Sequence, residues 1–142
     1  MRTTLLVLHV VLAIFLIGPI ATAINQGARA LLGGDAGGLR LLARTTTIYG
    51  WASLLVALFG FALVRDDYGN SFSDGWLIAS IVLFLVATAL VVGVLSPLLR
   101  GAVRTATAGG PTRTLAPRAA AVSGIASLCY VVVAVLMVWQ PR

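Results

Sequence analysis

The sequence predicts an all-α integral membrane protein, folded as a single four-helix transmembrane bundle over residues 1–142. The composition is 60% hydrophobic and only 10% charged, which lies far from the average of soluble domains. Four uncharged apolar runs cover residues of about 4–24, 46–64, 75–95 and 119–139. About 20 helical residues at 1.5 Å each cross a hydrocarbon core of about 30 Å, so each run predicts one span.

The first run contains the only histidine, His9, and predicts a helix from near Thr3 toward Leu32. Pro19 cannot donate a hydrogen bond to the carbonyl of residue 15, and Gly18 gives room beside it, so we expect a kink there. Arg2 and the Ala21-Thr22-Ala23 segment imitate a cleavable signal peptide. The apolar run is longer than a usual leader core, and we therefore expect the segment to be retained.

The second helix is predicted from about Thr46 to Val64, after a turn at the glycine-rich residues 33–38. Residues 39–44 are amphipathic and predict an interfacial lead-in, whose Arg40 and Arg44 reach lipid headgroups. The polar loop 65–75 that follows contains three aspartates but lacks the spacing and closing Glu of an EF-hand. We interpret it as a plain loop, in which Ser73 or Asp74 caps the next helix.

The third helix is predicted at 75–95, and Pro97 marks either its end or a late kink. Residues 101–118 are then the longest connection, expected to be flexible and held to lipid phosphates by Arg100, Arg104, Arg113 and Arg118. The fourth helix covers 119–139.

Small residues predict how the helices pack, because helix association in lipid depends on close approach. They are Ser53, Ala57 and Gly60 in helix 2, Ala89, Gly93 and Pro97 in helix 3, and Ala119, Ala120, Ser123, Gly124 and Ser127 in helix 4. We expect these residues to lie between the helices of the bundle.

The charges predict topology rather than nucleic-acid binding. All ten basic residues are arginine and all four acidic residues are aspartate, giving a net charge of +6. The connections 1–2 and 3–4 carry most of the arginines, whereas the other side holds Arg2, Arg65, Arg142 and three aspartates. By the positive-inside rule, both termini and the acidic loop are extracytoplasmic, in a bacterial inner membrane.

Candidate chemistry is sparse along this chain. No Asp, Glu, Lys or Arg lies centrally in any predicted span, which disfavours proton-coupled transport. His9 is the one candidate cofactor ligand, for haem or copper, and either metal would need a second His9 from a dimer. The alternative is a structural histidine, and Ser80 lies at a comparable depth, so a hydrogen bond between them is geometrically possible. We expect no stoichiometric haem or copper and no enzymatic activity.

The segment Leu8-His9-Val10, continued by residues 14–19, resembles a bacterial, actinobacterial-like family of small four-span membrane proteins of unknown function. Its layout is distantly similar to the membrane domain of copper-resistance D proteins, whose first helix has a comparable Leu-His opening. The resemblance implies four spans and draws attention to His9, and it implies no activity.

By elimination, the sequence predicts a non-catalytic accessory or assembly subunit of a larger membrane complex, for which a respiratory assembly is one host. Its partners are then the lipid bilayer and other membrane subunits or further copies of itself, with no nucleic acid. Two alternatives remain open: a haem or copper protein built on His9 across a homodimer, and a small transporter without charged residues in its spans.

Overall fold

Four long helices form the protein in the computed structural model, which describes residues 1–64 and 71–141. They are α1 (Arg2–Gly33), α2 (Ala36–Leu63), α3 (Gly75–Thr107) and α4 (Ala116–Trp139), the last preceded by a short 3₁₀ turn at Arg113–Leu115. The described residues contain no strand, and all four helices are long and apolar enough to cross a membrane. The predicted fold class is confirmed.

Helices α1 and α3 share a π-helical turn just before a proline. The turns are Ala13–Ile17 before Pro19 and Val91–Leu95 before Pro97. A proline ring inside a helix displaces the carbonyl four residues earlier and removes one hydrogen bond, and a wider turn accommodates both effects. The distortion predicted at Gly18 and Pro19 is therefore present as a π turn, with the helix continuing through it.

Of the two outcomes predicted at Pro97, the end of helix 3 at residue 95 is wrong, because α3 continues to Thr107. The alternative, a late distortion, is present as the π turn before Pro97. After the π turn, Pro97 occupies the start of a new α-helical stretch, where a missing N–H costs no hydrogen bond. The connection expected over residues 101–118 is therefore shorter, because it runs only from the end of α3 at Thr107 to the start of α4 at Ala116. It is also anchored, since the buried Thr112 donates a hydrogen bond of 2.6 Å from Oγ1 to the carbonyl of Leu31.

Helix α2 begins ten residues earlier than predicted, at Ala36. The carboxylate of Asp35 caps it by accepting hydrogen bonds from the backbone N–H groups of Gly37 and Gly38, at 3.2 and 3.0 Å. The predicted lead-in is thus the first part of the same helix, with Leu39 buried and Arg40 exposed.

The loop before α3 is described from Ser71 onward, and the predicted positions Arg65, Asp66, Asp67 and Arg142 lie outside the described residues. Asp74 occupies the N-cap position of α3, as one of the two predicted caps. Its carboxylate accepts a hydrogen bond from the backbone N–H of Ser71 at 3.0 Å instead of binding the first turn of the helix.

The core is concentrated toward the end of the bundle that contains Arg44, Arg100 and Arg118, which we call the arginine end. Fully buried aliphatic side chains from three helices meet in this half: Ile20, Ile24, Leu31, Leu39, Leu95 and Leu99. A small second cluster of Val64, Trp76 and Leu77 lies at the opposite end. No residue of α1 between Arg2 and Leu12 is buried, so the opposite end is packed loosely.

Only some of the predicted small-residue contacts lie inside the bundle. Ser53, Ala119 and Ser123 are buried as expected. Two other sets face outward: Ala89, Gly93 and Pro97 on α3, and Ala120 and Gly124 on α4. An added Cβ at Gly93 or Gly124 would meet nothing within 4 Å, so these glycines do not pack against another helix of this chain.

Candidate functional site

His9 binds a backbone carbonyl of the neighbouring helix. Its Nδ1 lies 2.9 Å from the carbonyl oxygen of Val56 in α2. Because a carbonyl only accepts, Nδ1 donates the proton, and Nε2 of the neutral ring is left as an acceptor. The bond joins α2 to the first part of α1, Arg2–Leu12, in which no residue is buried.

Gly60 makes this bond possible by leaving space above the helix surface. A Cβ placed on Gly60 would lie 3.1 Å from Cε1 and 3.5 Å from Nδ1 of His9. Gly60 is also one helical turn after Val56, so the imidazole lies over the bare backbone of that turn. This contact explains the predicted small residue at position 60.

Ser80 does not bind His9. Its buried Oγ donates a hydrogen bond of 2.8 Å to the carbonyl of Trp76, one turn earlier in α3. Serine and threonine hydroxyls in membrane helices commonly bond to this carbonyl of their own helix. The sequence suggested the Ser80 side chain as the partner of His9, but the partner is the main-chain carbonyl of Val56. Every residue has such a carbonyl, so the sequence could not identify this one.

A cavity of about 550 Å³ lies beside His9 in the loosely packed half of the bundle. All four helices contribute to it, and its walls are mainly apolar. Phe84 and Tyr130 lie between the cavity and the main core, with ring centroids 6.1 Å apart in an edge-to-face arrangement. The volume is within the range of protein sites for small molecules.

Trp76 on the cavity wall has an unsatisfied polar group. Its side chain is buried, and its indole Nε1–H has no hydrogen-bond acceptor among the described residues. His9 and Trp76 are two of the few polar side chains on a mainly apolar wall, which also includes Arg2, Ser80, Tyr130 and Gln140.

The described residues contain no group of three His, Cys, Asp or Glu side chains placed to hold a metal ion. Cys129 is buried in the main core, on a different helix from His9. A haem or copper site across a homodimer would therefore use Nε2 of His9 from each chain, and it stays a hypothesis.

Four of the six arginines predicted to bind lipid line one cleft at the arginine end. Arg40 and Arg44 come from α2, and Arg100 and Arg104 from α3. The cleft has a volume of about 440 Å³. Thr47 also lines it, and the hydroxyl of Thr47 forms a hydrogen bond with the hydroxyl of Ser96. Arg113 and Arg118 are exposed near the start of α4 and do not line this cleft.

A polar outer surface on α1 and α4 was not predicted from the sequence. Thr22, Asn25 and Gln26 are exposed on α1. Ser127 of α4 donates a hydrogen bond of 3.5 Å to the carboxamide oxygen of Asn25, which places the two helices side by side. We call this surface, with the exposed Ala120 and Gly124 of α4, the polar face. The periodic spacing of residues 22, 25 and 26 was the available signal.

These features define a four-helix integral membrane protein with an apolar cavity at one end and a basic cleft at the other. The chain belongs to the DUF2269 family, described as predicted integral membrane proteins, whose profile matches residues 3–141. No curated protein and no solved structure matches the chain. The predicted membrane family of unknown function is thereby confirmed.

Proposed function

We propose that the protein is a non-catalytic accessory subunit that assembles with another membrane protein through its polar face. The observation that carries the proposal is the exposed carboxamide of Asn25 on α1, one of the four candidate spans. Ser127, to which it is bonded, lies about 14 Å along α4 from Arg118 at 1.5 Å per residue. Arg29, on the same helix as Asn25, lies only about 6 Å from it on this scale, so Asn25 lies between the headgroup level and the middle of the span.

An exposed carboxamide in this position favours a protein neighbour over lipid. Asn25 uses one N–H in a bond of 2.6 Å to the carbonyl of Ala21 and accepts weakly from Ser127. An amide has two N–H donors and two acceptor lone pairs, so hydrogen-bonding capacity remains unused. Lipid tails offer no partner for it, whereas polar groups of an adjacent transmembrane helix do.

Gly124 supports the same surface from α4. It is exposed, and Ala120 precedes it by four residues, which gives the small-xxx-small spacing that lets two helix backbones approach closely. Small residues that pack within the bundle lie on the other side of α4, at Ala119 and Ser123. The helix thus has one small-residue surface for its own bundle and a second that is unused within the chain.

From the sequence we also propose that the protein lies in a bacterial inner membrane, with both termini extracytoplasmic. A respiratory complex is one host that we propose. The distant likeness in layout to the membrane domain of copper-resistance D proteins stays a hypothesis. A transport role would need a route through the tightly packed arginine end, where aliphatic side chains from three helices are fully buried.

The test compares two exposed helical glycines, Gly124 in the α-helix of α4 and Gly93 in the π turn of α3. Gly124→Leu and Gly93→Leu each add the same side chain at an exposed helical glycine with no neighbour within 4 Å of the new Cβ. Each variant is expressed at native level in the source cells, extracted in mild detergent and analysed by native electrophoresis. We expect wild type and Gly93→Leu to migrate with a stoichiometric partner, and Gly124→Leu to migrate alone.

Three results would contradict the proposal. They are a wild-type protein that migrates alone, equal loss of the complex in both variants, and a complex that contains this chain only. The last is detected when two differently tagged copies purify together without a second protein. Equal helical circular dichroism of the two variants serves as the folding control.

A further inference from the structure

We propose that the cleft between α2 and α3 binds the headgroup of an anionic lipid that carries two phosphate groups. The site consists of Arg40 and Arg44 on one wall and Arg100 and Arg104 on the other. This inference does not depend on the proposed role as a subunit.

The arrangement of the charges is the first argument. Each helix places two arginines four residues apart on one surface, where like charges destabilise a helix. The two pairs face one cleft, and none of the four guanidinium groups has an ion-pair partner among the described residues. An anion in the cleft offsets this repulsion.

The number of charges indicates two phosphates. A guanidinium group binds phosphate oxygens through two parallel N–H donors, and two such groups can hold one phosphate. Four arginines in two pairs therefore match two phosphate groups held close together. The Thr47 hydroxyl at the same cleft already donates to the carbonyl of Ala43, so the four guanidinium groups supply the donors for the phosphates.

The remaining walls of the cleft favour a lipid over a soluble diphosphate. Ala43, Ile48 and Val103 line it beside the arginines, and Ile48 is 51% exposed. An apolar path therefore leads from the guanidinium groups to the lipid-facing surface of the bundle. Acyl chains joined to the phosphates would lie on this path, whereas a soluble anion gains nothing from it. Basic pockets between transmembrane helices bind cardiolipin headgroups elsewhere.

The test measures lipid binding to the purified full chain in detergent by native mass spectrometry. Cardiolipin is the two-phosphate probe, phosphatidylglycerol the one-phosphate probe, and inorganic pyrophosphate the soluble one. We expect cardiolipin to bind at one molecule per chain and at least about tenfold more tightly than phosphatidylglycerol, since charge-assisted hydrogen bonds are lost with the second phosphate. Pyrophosphate should not compete at equal concentration.

Two double variants with the same change in charge locate the site. Arg44→Gln with Arg100→Gln removes one guanidinium from each pair and should weaken cardiolipin binding by about tenfold or more. Arg113→Gln with Arg118→Gln removes two arginines outside the cleft and should leave binding within about twofold of wild type, because those side chains do not line it. A variant with Arg44→Lys and Arg100→Lys keeps the charge but loses the paired donors, and it should also bind more weakly.

The proposal is overturned if both glutamine variants lose affinity equally, because binding then follows net charge. Equal affinity for phosphatidylglycerol, or displacement by pyrophosphate, would overturn the two-phosphate lipid as the ligand. The lysine variant serves if the glutamine variant of the cleft does not fold, and wild-type affinity in it would contradict paired recognition.

Discussion

The contact of His9 with Val56 and Gly60 shows how a single glycine places a polar side chain between two membrane helices. The imidazole reaches a main-chain carbonyl only because position 60 has no side chain, since an added Cβ would lie 3.1 Å from Cε1. The sequence singled out His9, but neither residue by itself shows that the two lie in contact across helices. Because His9 and Gly60 share one contact, we expect substitutions at the two positions to have coupled effects on the free energy of unfolding.

We predict that Gly60→Ala destabilises the wild-type protein by about 1 kcal/mol or more, because the new methyl group displaces the ring of His9. In a His9→Ala background the same change should be stabilising by up to about 1 kcal/mol, since alanine is the better helix former. Unfolding free energies measured in mixed micelles give the four corners of this double-mutant cycle.

Gly101→Ala provides the matched control for this cycle, as a helical glycine with nothing within 4 Å of an added Cβ. Its effect on the free energy of unfolding should be the same in the wild-type and His9→Ala backgrounds. Additive effects of Gly60→Ala and His9→Ala would mean that the two residues do not share the contact.

Packing of α2 against α3 depends on an equally specific close approach. Gly50 is buried, and an added Cβ would lie 2.6 Å from Cγ2 of Val92 and 3.6 Å from Cγ1 of Val91. Both valines belong to the π turn of α3, so the widened turn meets α2 where α2 has no side chain. The same pair of helices forms the arginine cleft farther along.

We predict that Gly50→Ala destabilises the protein by about 1–3 kcal/mol, because a β-branched valine has few rotamers with which to move away. Removing the obstacle with Val92→Ala should recover part of this loss, so that the double variant is more stable than Gly50→Ala alone. Thermal unfolding in detergent, followed by circular dichroism, measures the series. A Gly50→Ala protein as stable as wild type would show that the two helices do not approach this closely.

Across the whole molecule, the two ends of the bundle differ in packing and in charge. The arginine end contains the main core and the anchored connection at Thr112. The opposite end contains the cavity, and helix α1 meets it with no buried residue between Arg2 and Leu12. Orientation in the membrane decides which of these ends faces the cytoplasm.

We predict that the arginine end is cytoplasmic, because basic connections are retained on that side. Cys129 is buried and is replaced by alanine, so that introduced cysteines report alone. In intact cells, Ser71→Cys should react with a membrane-impermeant maleimide, whereas Thr107→Cys should react only after permeabilisation. The reverse labelling pattern would place the termini in the cytoplasm.

The sequence by itself determined the number of spans, the fold class and the ends at which the arginines gather. These follow from composition over about 20 residues, since a bilayer of about 30 Å imposes length and apolarity on every span. It also located the distortion at Pro19, because a proline lacks the N–H wherever it lies in a helix.

Only the tertiary structure decided which surface of each helix faces another helix. Ala119 and Ala120 are adjacent and chemically identical, yet one is buried and the other exposed. In lipid, apolar residues occupy both surfaces, so hydrophobic periodicity does not separate inside from outside as it does in water. For the same reason the sequence did not show that four of six arginines share one cleft, or that His9 binds the carbonyl of Val56, since both depend on how the helices are rotated against each other.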